Sequence, residues 1–205
     1  MEYGEGNLPN PDKLDENSLA LLAAPYIPAD GVNEKGVAIA VLTVSEAEPP
    51  YDENKRTLVT TAAIRLVLDK AANVDEAIKL LGQYNIFFSL GIISHFHITD
   101  ASGRAVVVEY YDGEMKVTET QVASNFIAWN NVQKPQGNAV ERHDTIKEVL
   151  DNNSGVLTKK QVIDVLGKVG WAERGLQWTA IYNLSTLAGT IFVAGNTSNM
   201  IDFTL

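Results

Sequence analysis

The chain has 205 residues, 45% of them hydrophobic and 20% charged, which is enough apolar material for one core in a single domain over 1–205. Sixteen basic against 26 acidic side chains leave a formal net charge of -10, so the mean surface field opposes the phosphate backbone of nucleic acid and anionic membranes alike. Cysteine is absent, which excludes disulfides and thiolate metal ligands without assigning a compartment; cytoplasmic is the default expectation.

Residues Met1 to Ser18 are rich in Gly, Asn, Pro, Asp and Glu and show little periodicity, as expected of an irregular entry. They lack the basic start and apolar stretch of a secretory signal, and the beginning reads as a cut. The segment Ala20 to Ile27 is apolar, but Pro25 makes it a poor central strand. A turn over Asp30 to Gly36 then delivers the chain into Val37 to Val44, whose β-branched density suits a buried strand. Glu46 to Asn54, with Pro49-Pro50 inside, reads as a loop.

From Thr57 the apolar period becomes helical through Leu58, Ala62, Ile64, Leu66, Val67 and Leu68, stopping before Asn73. Asn73 is the expected N-cap of a second helix, with Glu76 at the box position and Gly82 at the end. Asn85 to Ser94 reads as a loop over the core. A meander follows: His95 to Thr99, a turn at Asp100 to Gly103, Arg104 to Tyr110, the Asp112-Gly113 turn, and Met115 to Thr120. A further strand is expected over Val122 to Phe126, then a polar stretch at Gln133 to Asn138. Helices are expected over Ala139 to Leu150 and Thr158 to Val169, the second opened by Thr158 with Gln161 three residues on. Gln177 to Leu184 and Thr190 to Ala194 form a hairpin, and Met200 to Leu205 a final strand. Strand meanders with helices inserted in pairs predict an α+β fold with antiparallel sheets covered by helices.

His95 and His97 alternate on one strand and share a face, but nothing nearby completes a ligand set, so they read as ordinary strand histidines. No Gly-x-Ser-x-Gly elbow is present to activate a serine.

The run Asp30-Gly31-Val32-Asn33-Glu34-Lys35-Gly36-Val37-Ala38-Ile39-Ala40-Val41-Leu42-Thr43, with Val122-Ala123-Ser124-Asn125-Phe126 and Gly175-Leu176-Gln177-Trp178-Thr179-Ala180-Ile181-Tyr182 in order behind it, resembles the choloylglycine hydrolase and penicillin V acylase family. The resemblance implies a four-layer αββα sandwich of the N-terminal-nucleophile hydrolase type. It also implies hydrolysis of linear carbon–nitrogen amide bonds in small acylated substrates, such as conjugated bile acids or penicillin V, with no cofactor or metal. In that family an N-terminal cysteine attacks the amide carbonyl, its own α-amino group serving as base.

Three positions inherit roles from the resemblance. Thr43 matches the residue whose backbone N–H helps form the oxyanion hole; bile-salt-cleaving members tend to carry Asn there. Asn125 matches the asparagine whose side-chain amide donates to the same oxyanion. Arg174 stands just before the late strand and matches a catalytic-site arginine. The thiol itself has no counterpart here. Two readings stay open: these residues are the N-terminally shortened, inert remainder of a true amidase, or they form a noncatalytic small-molecule-binding or assembly module of the same fold. Either predicts a homo-oligomer, because an unpaired sheet edge favours self-association. No nucleic acid and no membrane partner is expected.

Overall fold

The computed structural model of the chain describes residues 26–129, 137–170, 178–193, 196, 198 and 200–205. Their fold is mixed α/β, with several sheets and four α-helices among the described residues. In chain order the elements are β1 (Asp30–Val32), β2 (Ala38–Thr43), β3 (Thr57–Val59), α1 (Thr60–Lys70), α2 (Val74–Leu81), β4 (Asn85–Phe87), β5 (Ser94–Thr99), β6 (Ala105–Tyr111), β7 (Glu114–Glu119), α3 (Asn138–Asp151), α4 (Lys159–Val169), β8 (Trp178–Asn183), β9 (Ala188–Val193) and β10 (Met200–Thr204). A five-stranded antiparallel sheet runs in the order β1-β2-β5-β6-β7, a three-stranded one in the order β10-β9-β8, and β3 pairs with β4.

Alternation along the strands decides which face of the large sheet is dry. Ile39, Phe96, Ile98, Val106, Val108 and Tyr110 point one way, into a core shared with Ala63, Ile64 and Val67 of α1 and Ala77 and Leu81 of α2. Phe88 and Phe96 meet the Tyr110 ring edge-on at centroid distances of 6.1 and 6.4 Å. The turn between β1 and β2 is fastened to this layer by Asn33. Its buried Nδ2 donates to the carbonyls of Leu68 and Ala71, while its Oδ1 accepts from the N–H groups of Lys35 and Val37. One amide thereby satisfies the end of α1 and the turn that launches β2.

The local signals hold where the chemistry is local. Asn73 caps α2 by accepting from the Glu76 N–H, Thr158 and Gln161 form the reciprocal box at α4, and Asp112-Gly113 turns β6 into β7 with positive φ at both residues. Four expectations are corrected. Thr57 to Val59 is a strand and not the start of a helix, since it pairs in parallel with β4, itself inside the stretch expected as a loop. Asp30 to Val32 is a strand of the large sheet, leaving only Asn33 to Gly36 as turn. Val122 to Phe126 is irregular: the Thr120 hydroxyl takes the Val122 N–H, and the Ser124 hydroxyl donates to the Ala139 carbonyl, so local side chains replace a ladder. The expected polar stretch at 133–136, the hairpin limits at 177 and 194, and all of 1–25 lie outside the described residues.

The small sheet carries less apolar burial. Phe192 and Thr190 are buried on one face, where the Thr190 hydroxyl donates to Asp202 and Lys159 of α4 reaches the same carboxylate. On the opposite face the Phe203 ring lies across Gly189, where any Cβ would collide with it. Asp30 of the large sheet joins the two, accepting from the Tyr182 hydroxyl at 2.7 Å and the Trp178 indole N–H at 3.3 Å.

Candidate functional site

The end of β2 is where backbone polar groups become available. Val44 N–H donates to Ile93 on the β5 side, whereas Val41 N–H donates to Ala29 on the β1 side. In an antiparallel strand the N–H and C=O of one residue point the same way, and the direction alternates by residue. Both backbone groups of Thr43 therefore project toward the β1 side, beyond the stretch over which β1 pairs. The Asn125 side chain meets them there, its Nδ2 donating to the Thr43 carbonyl at 2.9 Å across 82 residues of sequence.

Asn125 is held at its other end by α3, since Arg142 Nη2 donates to Asn125 Oδ1 at 2.8 Å. Partial burial pushes the Arg142 guanidinium below its ordinary value, yet an arginine stays cationic at neutral pH. A cation on the amide oxygen polarises the group and strengthens its N–H donors. The neighbouring Ser124 is itself buried and tied to the start of α3.

Behind this segment lies a buried polar pair. His95 and Glu109 are each 1% exposed, and His95 Nδ1 donates to Glu109 Oε1 at 2.8 Å. The same carboxylate accepts the backbone N–H groups of Ala128 and Trp129 at 2.8–3.1 Å. Lys116, opposite Glu109 in the register, places its ammonium 5.2 Å from the centre of the Trp129 ring. His97 does not join this pair: its Nε2 contacts the Thr120 carbonyl at 3.3 Å, and burial, its main influence, lowers its pKa and keeps it neutral. Among the described residues no three His, Asp or Glu side chains gather as a metal site. A groove of about 650 Å³ runs beside the segment, lined by Thr118, Ser124, Phe126 and His143 among others.

Of the three candidates read from sequence, Thr43 and Asn125 are brought into direct contact, and Arg174 lies outside the described residues. Arg142 and Glu109 were not singled out. Arg142 carries no sequence signal beyond its place on a helix; Glu109 could have been noticed as a carboxylate inside the apolar run Val106-Val107-Val108-Glu109-Tyr110. Chemically, the arrangement presents an amide donor and a backbone N–H on the same side of one strand end. No thiol is present in the 205 residues.

Comparison with known proteins bears on the same region. Penicillin V acylase of Pectobacterium atrosepticum is 35% identical over 99 residues, 43% of this chain and 26% of the relative, so the chain spans about a quarter of the length of that curated protein. Among solved structures, a mutant of the conjugated bile acid hydrolase from Clostridium perfringens superposes with a TM-score of 0.66 at 15% identity, covering 86% of this chain and 72% of the other. Penicillin V acylase from Agrobacterium tumefaciens gives 0.65 at 22% identity, covering 86% and 66%. At such identities the likeness is one of fold. The profile of the linear amide C–N hydrolases, choloylglycine hydrolase family, matches residues 21–138, more than half of the chain and the stretch that holds β2 and Asn125, and the chain belongs to that family.

Proposed function

We propose that these residues form the oxyanion-stabilising side of an amidase acting on linear carbon–nitrogen bonds of small acylated molecules. The observation that carries this reading is the Asn125 amide docked on Thr43 at the end of β2, which puts Asn125 Nδ2 and the Thr43 N–H on one side of the strand. As a thiolate attacks an amide carbonyl, negative charge gathers on the carbonyl oxygen. Two preorganised donors at that point lower the barrier, each worth about 3 kcal/mol in a dry site. Collapse of the tetrahedral species expels the amine and leaves a thioester, which water hydrolyses. The thiol has to come from outside these 205 residues, and without it they are inert toward amides. Arg174 remains a candidate charge at the site on resemblance alone.

On this reading the two sheets are the inner layers of a four-layer αββα sandwich. The Asp30 bridge between them supports it, as does burial of Phe192 and Thr190 on the face that shares Asp202 with α4. The acyl group would lie on the end of β4 and the loop after it, where Phe87, Leu90 and Ile92 are 60%, 92% and 51% exposed and Ile93 pairs with Val44 at the end of β2. Self-association through an open sheet edge belongs to the same reading, and sedimentation tests it.

The deciding experiment assays the native gene product against a conjugated bile acid, penicillin V, an acyl-homoserine lactone and an acylated peptide amide. Turnover of at least one, falling about a hundredfold in Asn125→Ala with little change in melting temperature, is the expected result. Turnover of none favours a noncatalytic binding module, and wild-type turnover in the variant removes Asn125 from the reaction.

A further inference from the structure

We infer that the buried His95–Glu109 pair is the positioning unit of the Asn125 amide, an inference that deepens the amidase reading and rests on it. The segment Gln121 to Trp129 has no ladder to hold it, since it is irregular and flanked by a sheet edge and a helix. Its backbone is instead pinned by Glu109, whose two oxygens take the N–H groups of Ala128 and Trp129, three and four residues beyond Asn125. Hydrogen bonds to a buried carboxylate are stronger than neutral ones, and the fixed strand behind Glu109 makes the anchor rigid.

His95 fixes the carboxylate in turn. In the tautomer that donates Nδ1–H to Glu109, Nε2 carries a lone pair, and that atom has no partner among the described residues. An orphan acceptor costs less than an orphan N–H, so this tautomer is the one the site selects. The row Leu42, His95, Glu109, Lys116 crosses four strands on one face, and its outer member grips the Trp129 ring. Pinned there, and by Arg142 on its own oxygen, Asn125 is left with one arrangement of its amide at Thr43. Glu109 and His95 thus act through Asn125 and are not catalytic residues themselves.

The test is side-chain amide relaxation in ¹⁵N-labelled protein, with the Asn33 amide as internal reference because it reports the packing of α1 against the turn before β2. In Glu109→Gln the order parameter of the Asn125 Nδ2 group should fall from the rigid range, about 0.85, to below about 0.6, while that of Asn33 stays put. An unchanged Asn125 amide, or parallel loosening of both amides, overturns the inference. If Glu109→Gln does not fold, His95→Leu and His95→Asn decide: the leucine frees Asn125 and the asparagine, which keeps a donor near Nδ1, restores it, whereas equal behaviour of the two defeats the proposal. The measurement uses no substrate, so its failure is separate from that of the amidase reading. Full turnover in Asn125→Ala would sink the latter and leave the clamp standing.

Discussion

The half of the molecule built on the five-stranded sheet and the half built on the three-stranded sheet are held together differently. In the first, one continuous apolar cluster runs from Val37 to Tyr110 and includes the inner faces of α1 and α2. In the second, α3 buries no residue fully and α4 only Val165, and the sheet leans on polar contacts such as Thr190 to Asp202 and Lys159 to Asp202. The candidate site lies where the two meet, with Thr43 from the first and Arg142 from the second joined through Asn125. The half with the continuous apolar core thus supplies the strand end, and the half held by polar contacts supplies the arginine that completes the site.

The sharpest way to break this comparison is to cut equal volumes from each side. Phe96→Ala, at a fully buried position of the large sheet, should cost about 5 kcal/mol, and Phe192→Ala about 3 kcal/mol because its surroundings can collapse; equal losses in chemical denaturation would erase the distinction. Asn33→Ala removes the amide that serves two carbonyls and two N–H groups, and a loss of about 3 kcal/mol is expected, against under 1 kcal/mol if water replaces it. Helix caps provide the matched control. Asn73→Ala in the first half and Thr158→Ala in the second should each cost about 1 kcal/mol, since capping is local and indifferent to the core behind it.

The smallest effect is electrostatic. Burial alone would raise the Asp100 carboxyl, but hydrogen bonds from Ser102 and the Val74 N–H, with the charge of Arg104, hold it below the ordinary carboxylate range. A carboxyl lowered in the folded state stabilises fully above its free-chain value, and that contribution disappears as pH falls through the folded value. Asp100→Asn should therefore flatten the acid limb of a melting-temperature profile while leaving the neutral plateau lower. A limb of unchanged slope would show that Asp100 does not contribute to it.

Legibility in the sequence followed the range of the interaction. The caps at Asn73 and Thr158 and the Asp112-Gly113 hairpin involve neighbours a few residues apart, and each is found where its signature stands. The parallel pairing of Thr57 to Val59 with Asn85 to Phe87 has no such signature, because three residues of either strand fit a helix or a loop equally well. The Val122 to Phe126 segment misleads in the opposite sense: a short apolar start after a meander reads as one more strand, while the Thr120 hydroxyl takes the Val122 N–H and Ser124 donates to Ala139 without a ladder.

What the residues determined unaided is the class of the fold, the strand leading to Thr43 and, by resemblance, the family, because those rest on short-range periodicity and on motifs read in order. Only the tertiary structure decided that Asn125 reaches Thr43 over 82 positions, that an arginine at 142 holds it, and that Glu109 and His95 stand behind the segment. The reason is physical: hydrogen bonds between side chains and distant backbone depend on how layers pack, and packing is a property of the whole chain that no local window contains.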